Sequence, residues 1–382
     1  MNSNKKPVYN VNYKKLLIDN QAEFIASFQS GIFGKLKHLF LQNKDNKCDA
    51  ENMFSNNKTT IKKINDFKLM RNVQSLKSQL NKKKYLYSHF TVKKLINIIT
   101  KTKMEYVYLS VACIIKNEGR YIKEWIDFHI AAGVERFFLF DNESDDNTYD
   151  ILLPYIRSGK VIYIPFPGKK VQMIAYNIAC DICKETSRWL AFIDADEFLH
   201  PVKSECLKTV LIDYESYAGI GVNWIVYGTC GNKTMVEGTL CENYRYTFED
   251  RNNELNCRIK SIVNPRAVLA VMSPHHCWYK NGKYAVDENK EQIVGEALYA
   301  KNCSMSCTMF NSCNVLRINH YWTKSEEELK IKCQRGYPDG HANPVYESIM
   351  ERLNYPLVED YMTVVPFIKK SDRKMCLEDK HE

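Results

Sequence analysis

At 382 residues, 45% hydrophobic and 26% charged, the chain has room for one enzyme-sized domain plus accessory segments, and its composition is neither disordered nor fibrous. The net charge of +9 is unevenly spread, with 21 Lys and Arg against 7 Asp and Glu in residues 1–105 and 33 against 38 in the remainder. No internal repeat is visible, and no run approaches the ~18–20 apolar residues of a membrane-spanning helix.

Residues 1–103 alternate short amphipathic stretches, such as Phe24-Ile-Ala-Ser-Phe28, with Lys/Asn-rich breaks, and read as a basic, loosely helical accessory region. Such a region is either a solvated surface or a peripheral contact with an anionic membrane face; no nucleic-acid motif accompanies it, so no nucleic-acid partner is expected. The opening Met1-Asn-Ser-Asn-Lys-Lys-Pro7 lacks the apolar stretch of a secretory signal. A cytoplasmic protein is therefore expected, peripheral to the inner membrane face if the basic region binds lipid. Its 14 cysteines are then expected to be reduced.

The texture changes near residue 104. Residues 106–115 form an apolar, β-branched run of strand length. Tyr121, Trp125, Phe128 and Ala132 follow at helical spacing, Gly133 stops the pattern, and residues 136–141 read as a second strand. Ile151, Leu152, Tyr155 and Ile156 mark the next helix, which Gly159 ends before a third strand at 160–166. Val171, Ile174, Ala175, Ile178 and Ile182 mark a further helix, and a strand at 188–194 follows. Cys180-x-x-Cys183 lies inside that helix without a second pair at zinc-ribbon spacing, so it reads as structural, as do Cys303, Cys307 and Cys313. Later strand-like runs fall at 219–228, 267–272 and 314–322, and residues 337–382 look like short helices. Four strands alternating with three helices imply a parallel α/β sheet, whose ligands bind beyond the carboxyl ends of the strands, where Glu118, Asp141, Asp194 and Asp196 fall.

The strongest local feature is Trp189-Leu-Ala-Phe-Ile-Asp194-Ala-Asp196-Glu197-Phe198, an apolar strand ending in three carboxylates. Carboxylates so crowded are best tolerated beside a hard divalent cation, which takes few protein carboxylates and completes its shell with phosphate oxygens. In Phe140-Asp-Asn-Glu-Ser-Asp-Asp-Asn-Thr148 a strand-end Asp141 suits hydrogen bonds to a base or ribose, while residues 144–147 suit a turn that caps a helix.

Cys113-Ile-Ile-Lys-Asn-Glu118, Glu124-Trp125 with His129, Phe140-Asp-Asn-x-Ser-x-Asp146 and the block at 189–198 are followed by Lys260-Ser-Ile-Val-Asn-Pro265, Pro274-His275, Ile318-Asn-His-Tyr-Trp-Thr-Lys-Ser325, Lys332 and Arg335-Gly336. In this order, over some 230 residues, these blocks resemble glycosyltransferase family 92. The resemblance implies a GT-A-type, Rossmann-like fold, with a mostly parallel sheet flanked by helices, over residues 104–336. It also implies a nucleoside diphosphate sugar donor, with UDP-galactose favoured, a Mn²⁺ or Mg²⁺ ion, inversion at the anomeric carbon and a glycan or glycolipid acceptor. By motif, Asp194 and Asp196 would hold the metal against the donor diphosphate, with His320 as a late metal contact. Lys116, Asn117, Glu118 and Asp141 would line the nucleoside pocket; Lys169, Lys170, Gln172 and Lys324 would face the diphosphate. Ser325-x-x-Glu328 is a capping box, which makes Ser325 structural.

Inversion needs a base that deprotonates the acceptor hydroxyl. Asp250 and Glu254, on an acceptor-side loop, and His275 are all candidates, and the sequence does not choose among them. A metal-dependent nucleotidyltransferase would use similar strand-end carboxylates, and a non-catalytic nucleotide-sugar or carbohydrate-binding protein would keep the same fold. Sugar release from a nucleotide donor separates the first alternative from glycosyl transfer, and the intact Asp194, Asp196 and His320 speak against the second.

Overall fold

The computed structural model describes residues 104–271, 273–293, 306–308, 310–336 and 345–360. The basic region expected at 1–103, its membrane contact and Cys303 lie outside the described residues. Among the described residues no helix is long and apolar enough to cross a membrane.

The first half alternates as its periodicity predicts. Strands β1 (Val107–Ile115), β2 (Arg136–Asp141), β3 (Val161–Pro165) and β4 (Ser187–Phe192) run parallel in the order β3-β2-β1-β4. Helices α1 (Ile122–Ala131), α2 (Thr148–Arg157) and α3 (Gln172–Thr186) connect them. β-Branched and aromatic residues fill both faces of the sheet; Phe137, Phe138, Phe140, Trp189 and Phe192 are fully buried, each such side chain contributing about 1.5–3 kcal/mol of transfer energy. Gly133 ends the turn after α1 at φ +105°, and a Cβ there would lie 2.8 Å from Cys206 Sγ, so both conformation and space demand glycine. Cys180 and Cys183 are buried free thiols of α3, each pushed up to about 12 by burial.

Beyond β4 the sheet becomes mixed. The chain turns through residues 194–196 into β5 (Glu197–Pro201), and after a short α4 (Leu207–Leu211) returns as β6 (Gly219–Val226). Helix α5 (Leu240–Asn243) and β7 (Tyr246–Phe248) precede β8 (Ile259–Val263), which inserts antiparallel between β4 and β6. A hairpin of β9 (Val268–Val271) and β10 (Cys277–Tyr279) follows, then β11 (Ala285–Val286) on the edge of β6. β12 (Leu316–His320) lies parallel to β6 and antiparallel to β5, giving the order β3-β2-β1-β4-β8-β6-β12-β5. The tail, expected as helices alone, supplies α7 (Tyr346–Arg352) after α6 (Glu326–Arg335), and then β13 (Leu357–Glu359), which pairs with β7. Asp360 beyond it is buried against Arg317 and Tyr227, so the tail is fastened under β12.

Helix α1 fixes the strand on which the acidic cluster ends. Trp125 Nε1 donates to Glu197 O at 2.7 Å, and His129 Nδ1 donates to Trp125 O at 2.8 Å. That leaves His129 Nε2 to accept the Leu199 N–H at 3.0 Å. Glu124 of the same helix accepts the Leu240 and Cys241 N–H groups at the start of α5. The Glu124-Trp125 and His129 motif is thus a brace for β5.

Burial lowers His129 to about 3, and burial with the nearby Arg317 charge lowers His200 to about 4, so both rings are neutral at pH 7. The unfolded chain takes up these protons near pH 6.5 and the folded one does not, so stability is complete above that pH and falls as the pH drops toward the folded values. The expected loss between about pH 6.5 and 5 is ~1.4 kcal/mol per pH unit for each ring. Urea unfolding across that window checks it: His129→Gln should remove one proton's share of the slope, and an unchanged slope would refute the assignment.

Candidate active site

The chain leaves β4 at Phe192, and the turn through 194–196 is closed by the Glu197 N–H on Asp194 O at 3.0 Å and the Asp194 N–H on Glu197 Oε2 at 2.9 Å. The charge that relieves the crowded carboxylates is a lysine from β8. Lys260 Nζ, almost wholly buried, donates to Asp194 Oδ2 at 2.6 Å and lies 3.4 Å from Glu197 Oε2. Burial opposes its ammonium, but Asp194 and Glu197 outweigh burial and hold Lys260 above the ordinary lysine range. Glu197, fully buried, is pushed well above the usual carboxylate range by desolvation. Tyr176 OH and Gln172 Nε2 of α3 donate to the other Asp194 oxygen at 3.1 and 3.4 Å.

Asp196 faces a second set of partners. Pairing of β12 with β5 sets His320 opposite Glu197, and the Tyr321 N–H donates to Asp196 O at 2.9 Å. His320 Nε2 consequently lies 3.5 Å from Asp196 Oδ1, although 124 positions separate them in sequence. Lys332 Nζ of α6 donates to Asp196 Oδ2 and to Trp322 O, both at 2.7 Å. Burial works against the Asp196 charge, but Lys332 and His320 hold this carboxyl well below the usual range. His320 is lowered by burial against the opposing pull of Asp196. Its Nδ1 and Glu197 Oε1, 4.0 Å apart, are both buried without a hydrogen-bond partner. The Glu197 carboxyl thus lies on the Nδ1 side of the ring and Asp196 on the Nε2 side.

His275 joins this cluster from the β9–β10 hairpin. The Trp224 ring lies 4.3 Å from the His320 ring and 5.3 Å from that of His275. His275 Nδ1 donates to Ile259 O at 2.8 Å, which leaves the lone pair on Nε2. Burial, helped by the Lys260 charge, holds the ring well below the ordinary histidine range and therefore neutral.

At the carboxyl ends of β1 and β2 the residues expected to meet a nucleoside hold one another. Asn117, at φ +55°, takes the Asp145 N–H on its side chain at 2.9 Å and gives its own N–H to Ser144 Oγ at 2.9 Å. Asp141 has both oxygens engaged, one by Ser144 and the other by Tyr163. Gly119 admits the close approach of this loop, for a Cβ there would lie 2.1 Å from Asn147 Oδ1. Glu118 binds Lys324 at 3.5 Å and Arg335 at 3.3 Å, and Arg335 also donates to Lys116 O at 2.8 Å. The Ser325–Glu328 capping box sets the start of α6, which carries Lys332 and Arg335 to these two acids. Lys169 and Lys170 are exposed.

Asp250 and Glu254 make no contact with this cluster among the described residues. Asp250 is exposed in a turn, with Oδ1 on the Asn252 N–H at 2.9 Å, and Glu254 pairs with Arg352 at 2.7 Å. Nor do three His, Cys, Asp or Glu side chains converge on one point that would suit a metal, among the described residues. Asp194 turns to Lys260, leaving Asp196 and His320 as the pair spaced for one cation, an arrangement suited to an ion that takes its remaining ligands from phosphate. Sequence reasoning gave no role to Lys260, Lys332, Arg335 or Trp224. A lysine inside the apolar strand Ile259–Val263 was the available signal for Lys260.

A family model described as Glycosyltransferase family 92 matches residues 105–331. A glycosyltransferase family 92 protein of Oryza sativa subsp. japonica is 33% identical over 183 residues, covering 46% of this chain and 30% of that protein. A galactan β-1,4-galactosyltransferase of Arabidopsis thaliana is 26% identical over 135 residues, 32% of this chain and 27% of that protein. The matches thus span about a third of the length of these curated relatives. The crystal structure of S. aureus TarS 1–349 in complex with UDP overlaps with a TM-score of 0.30 at 16% identity, over 42% of this chain and 47% of that one, too slight to locate any residue's role.

Proposed function

We propose, from the premise that this chain belongs to glycosyltransferase family 92, that it transfers a hexose from a nucleoside diphosphate sugar to a hydroxyl group of a glycan or glycolipid, with inversion. The observation that carries this reading is the meeting of Asp196, His320 and Lys332 at the strand ends, beside the 116–118 loop. UDP-galactose is the favoured donor, since galactan galactosyltransferases are among the relatives.

In the reaction the acceptor oxygen bonds to the anomeric carbon while the bond from that carbon to the diphosphate oxygen breaks, and the acceptor proton passes to a base. Of the three candidates, His275 is best supported, because its ring shares Trp224 with His320 and its Nδ1 hydrogen bond leaves the lone pair on Nε2. Lys332 places an ammonium where the leaving diphosphate gathers charge, and Lys324 and Arg335 stand behind it on Glu118. Asp196 and His320 are the groups that would hold Mn²⁺ or Mg²⁺, which when bound supplies Lewis-acid neutralisation of the same diphosphate. Asp194, Gln172 and Tyr176 form a fixed polar wall for the donor sugar or ribose.

A panel of nucleotide sugars, each with Mn²⁺ or Mg²⁺ and a mixture of neutral glycans, tests this. UDP release is expected to be fastest from UDP-galactose and to depend on the acceptor. Release of pyrophosphate would indicate nucleotidyl transfer, and absence of turnover with every donor would end the proposal.

A further inference from the structure

A recess of about 240 Å³ lies where the β7–β13 ribbon meets the turn at 250–253, lined by Phe248, Glu249, Asp250, Asn253, Tyr355 and Pro356. We infer that it is a subsite for one neutral sugar residue of the acceptor chain, separate from the donor-handling cluster; only the word acceptor rests on the glycosyltransferase reading. The volume falls below the ~300–1,000 Å³ of sites that enclose a drug-sized ligand, which suits a single pyranose ring and not a nucleotide sugar.

The lining has the chemistry of a sugar site. Tyr355 is 56% exposed, yet its ring is braced edge-to-face at 6.0 Å by Phe248, which is 1% exposed. A fixed aromatic ring offers a flat apolar surface to the C–H face of a pyranose at little entropic cost. Around it stand the exposed carboxylates of Glu249 and Asp250, acceptors for sugar hydroxyl groups. Asn253 uses Oδ1 on the Leu255 N–H at 3.0 Å, and its amide nitrogen makes no hydrogen bond among the described residues, which leaves a donor for a hydroxyl oxygen.

The recess is also rigid and selective by charge. The Glu249 N–H donates to Pro356 O at 3.0 Å, the Asn253 N–H to Asp250 O at 3.1 Å, and the Asn311 N–H to Asn252 Oδ1 at 3.0 Å, so its floor is set before a ligand arrives. The neighbouring cations are turned elsewhere, Arg251 to the buried Asp360 at 3.4 Å and Arg352 to Glu254 at 2.7 Å. Two carboxylates without an ion pair among the described residues then repel phosphate and uronate groups and leave neutral sugars as the ligand class. A relay of side chains joins the recess to the cluster: beyond Glu254, Arg352 lies 5.8 Å from the Trp322 ring, and Lys332 bonds both Trp322 O and Asp196.

Calorimetric titration of the full chain with β-1,4-galactotetraose, cellotetraose, xylotetraose and tetragalacturonate, alongside UDP, tests the inference. At least one neutral tetrasaccharide is expected to bind and tetragalacturonate to bind more weakly. Tyr355→Ala should weaken the neutral ligand about tenfold, Tyr355→Phe should preserve it, and neither should change UDP affinity. The inference is overturned if no neutral tetrasaccharide binds at millimolar concentration, if Tyr355→Ala binds as wild type does, or if tetragalacturonate binds as tightly. Sugar binding without UDP binding would uphold the recess and count against a UDP-sugar donor; UDP binding without sugar binding would support that donor and overturn the recess.

Discussion

Asp196→Ala is expected to reduce sugar transfer by at least about a hundredfold while the domain stays folded. The carboxylate has one oxygen on Lys332 and the other toward His320, so its loss removes the anion that holds both groups at the strand end. The fold is spared because Lys332 is partly solvent-exposed and keeps its bond to Trp322 O, while the backbone bond from Tyr321 to Asp196 O does not depend on the side chain. Thermal unfolding and UDP release measured on one preparation separate the two effects. Full activity in Asp196→Ala, with undiminished response to Mn²⁺, would remove this residue from the site.

The parts of this site that were legible in the sequence are those that local pattern encodes. Apolar β-branched runs, alternating with helical patterns that Gly133 and Gly159 end, marked the parallel half of the sheet, because strands buried on both faces must be continuously apolar. The acids at 194 and 196 were visible for the same reason, standing where an apolar strand stops. Ser325 and Glu328 announced α6 through a four-residue motif. What escaped were residues made burial-competent by distant partners. β5 begins with Glu197 and β8 contains Lys260, and neither reads as a strand alone; each charge is tolerated inside because the other lies 3.4 Å away. Lys332 and Arg335 belong to a polar helix whose partners lie 136 and 217 positions away, and no periodicity reports such pairings. Asp141 was placed correctly at a strand end, but its engagement by Tyr163 depends on β3 lying beside β2.

Lys260→Met is expected to cost about 3–5 kcal/mol of stability at neutral pH, because it leaves the buried Glu197, and the partly exposed Asp194 beside it, without their cation. Lys260 is 1% exposed, Glu197 not at all, and no other lysine or arginine lies within 4.0 Å of either Asp194 or Glu197 among the described residues. Glu197 is already raised by burial, with Lys260 as the chief opposing influence, so removing the lysine raises it further. A carboxyl raised in the folded state binds its proton there before it does in the unfolded chain. Stability is then present below the unfolded carboxylate range and is lost as the pH rises through the folded value. The variant should therefore recover part of its deficit between about pH 8 and 5, opposite in sign to the slope from His129 and His200. Lys260→Met combined with Asp194→Asn should be more stable than Lys260→Met alone, since one of the stranded charges is gone. A Lys260→Met protein as stable as wild type at pH 8 would mean that Asp194 and Glu197 are held by something other than this lysine.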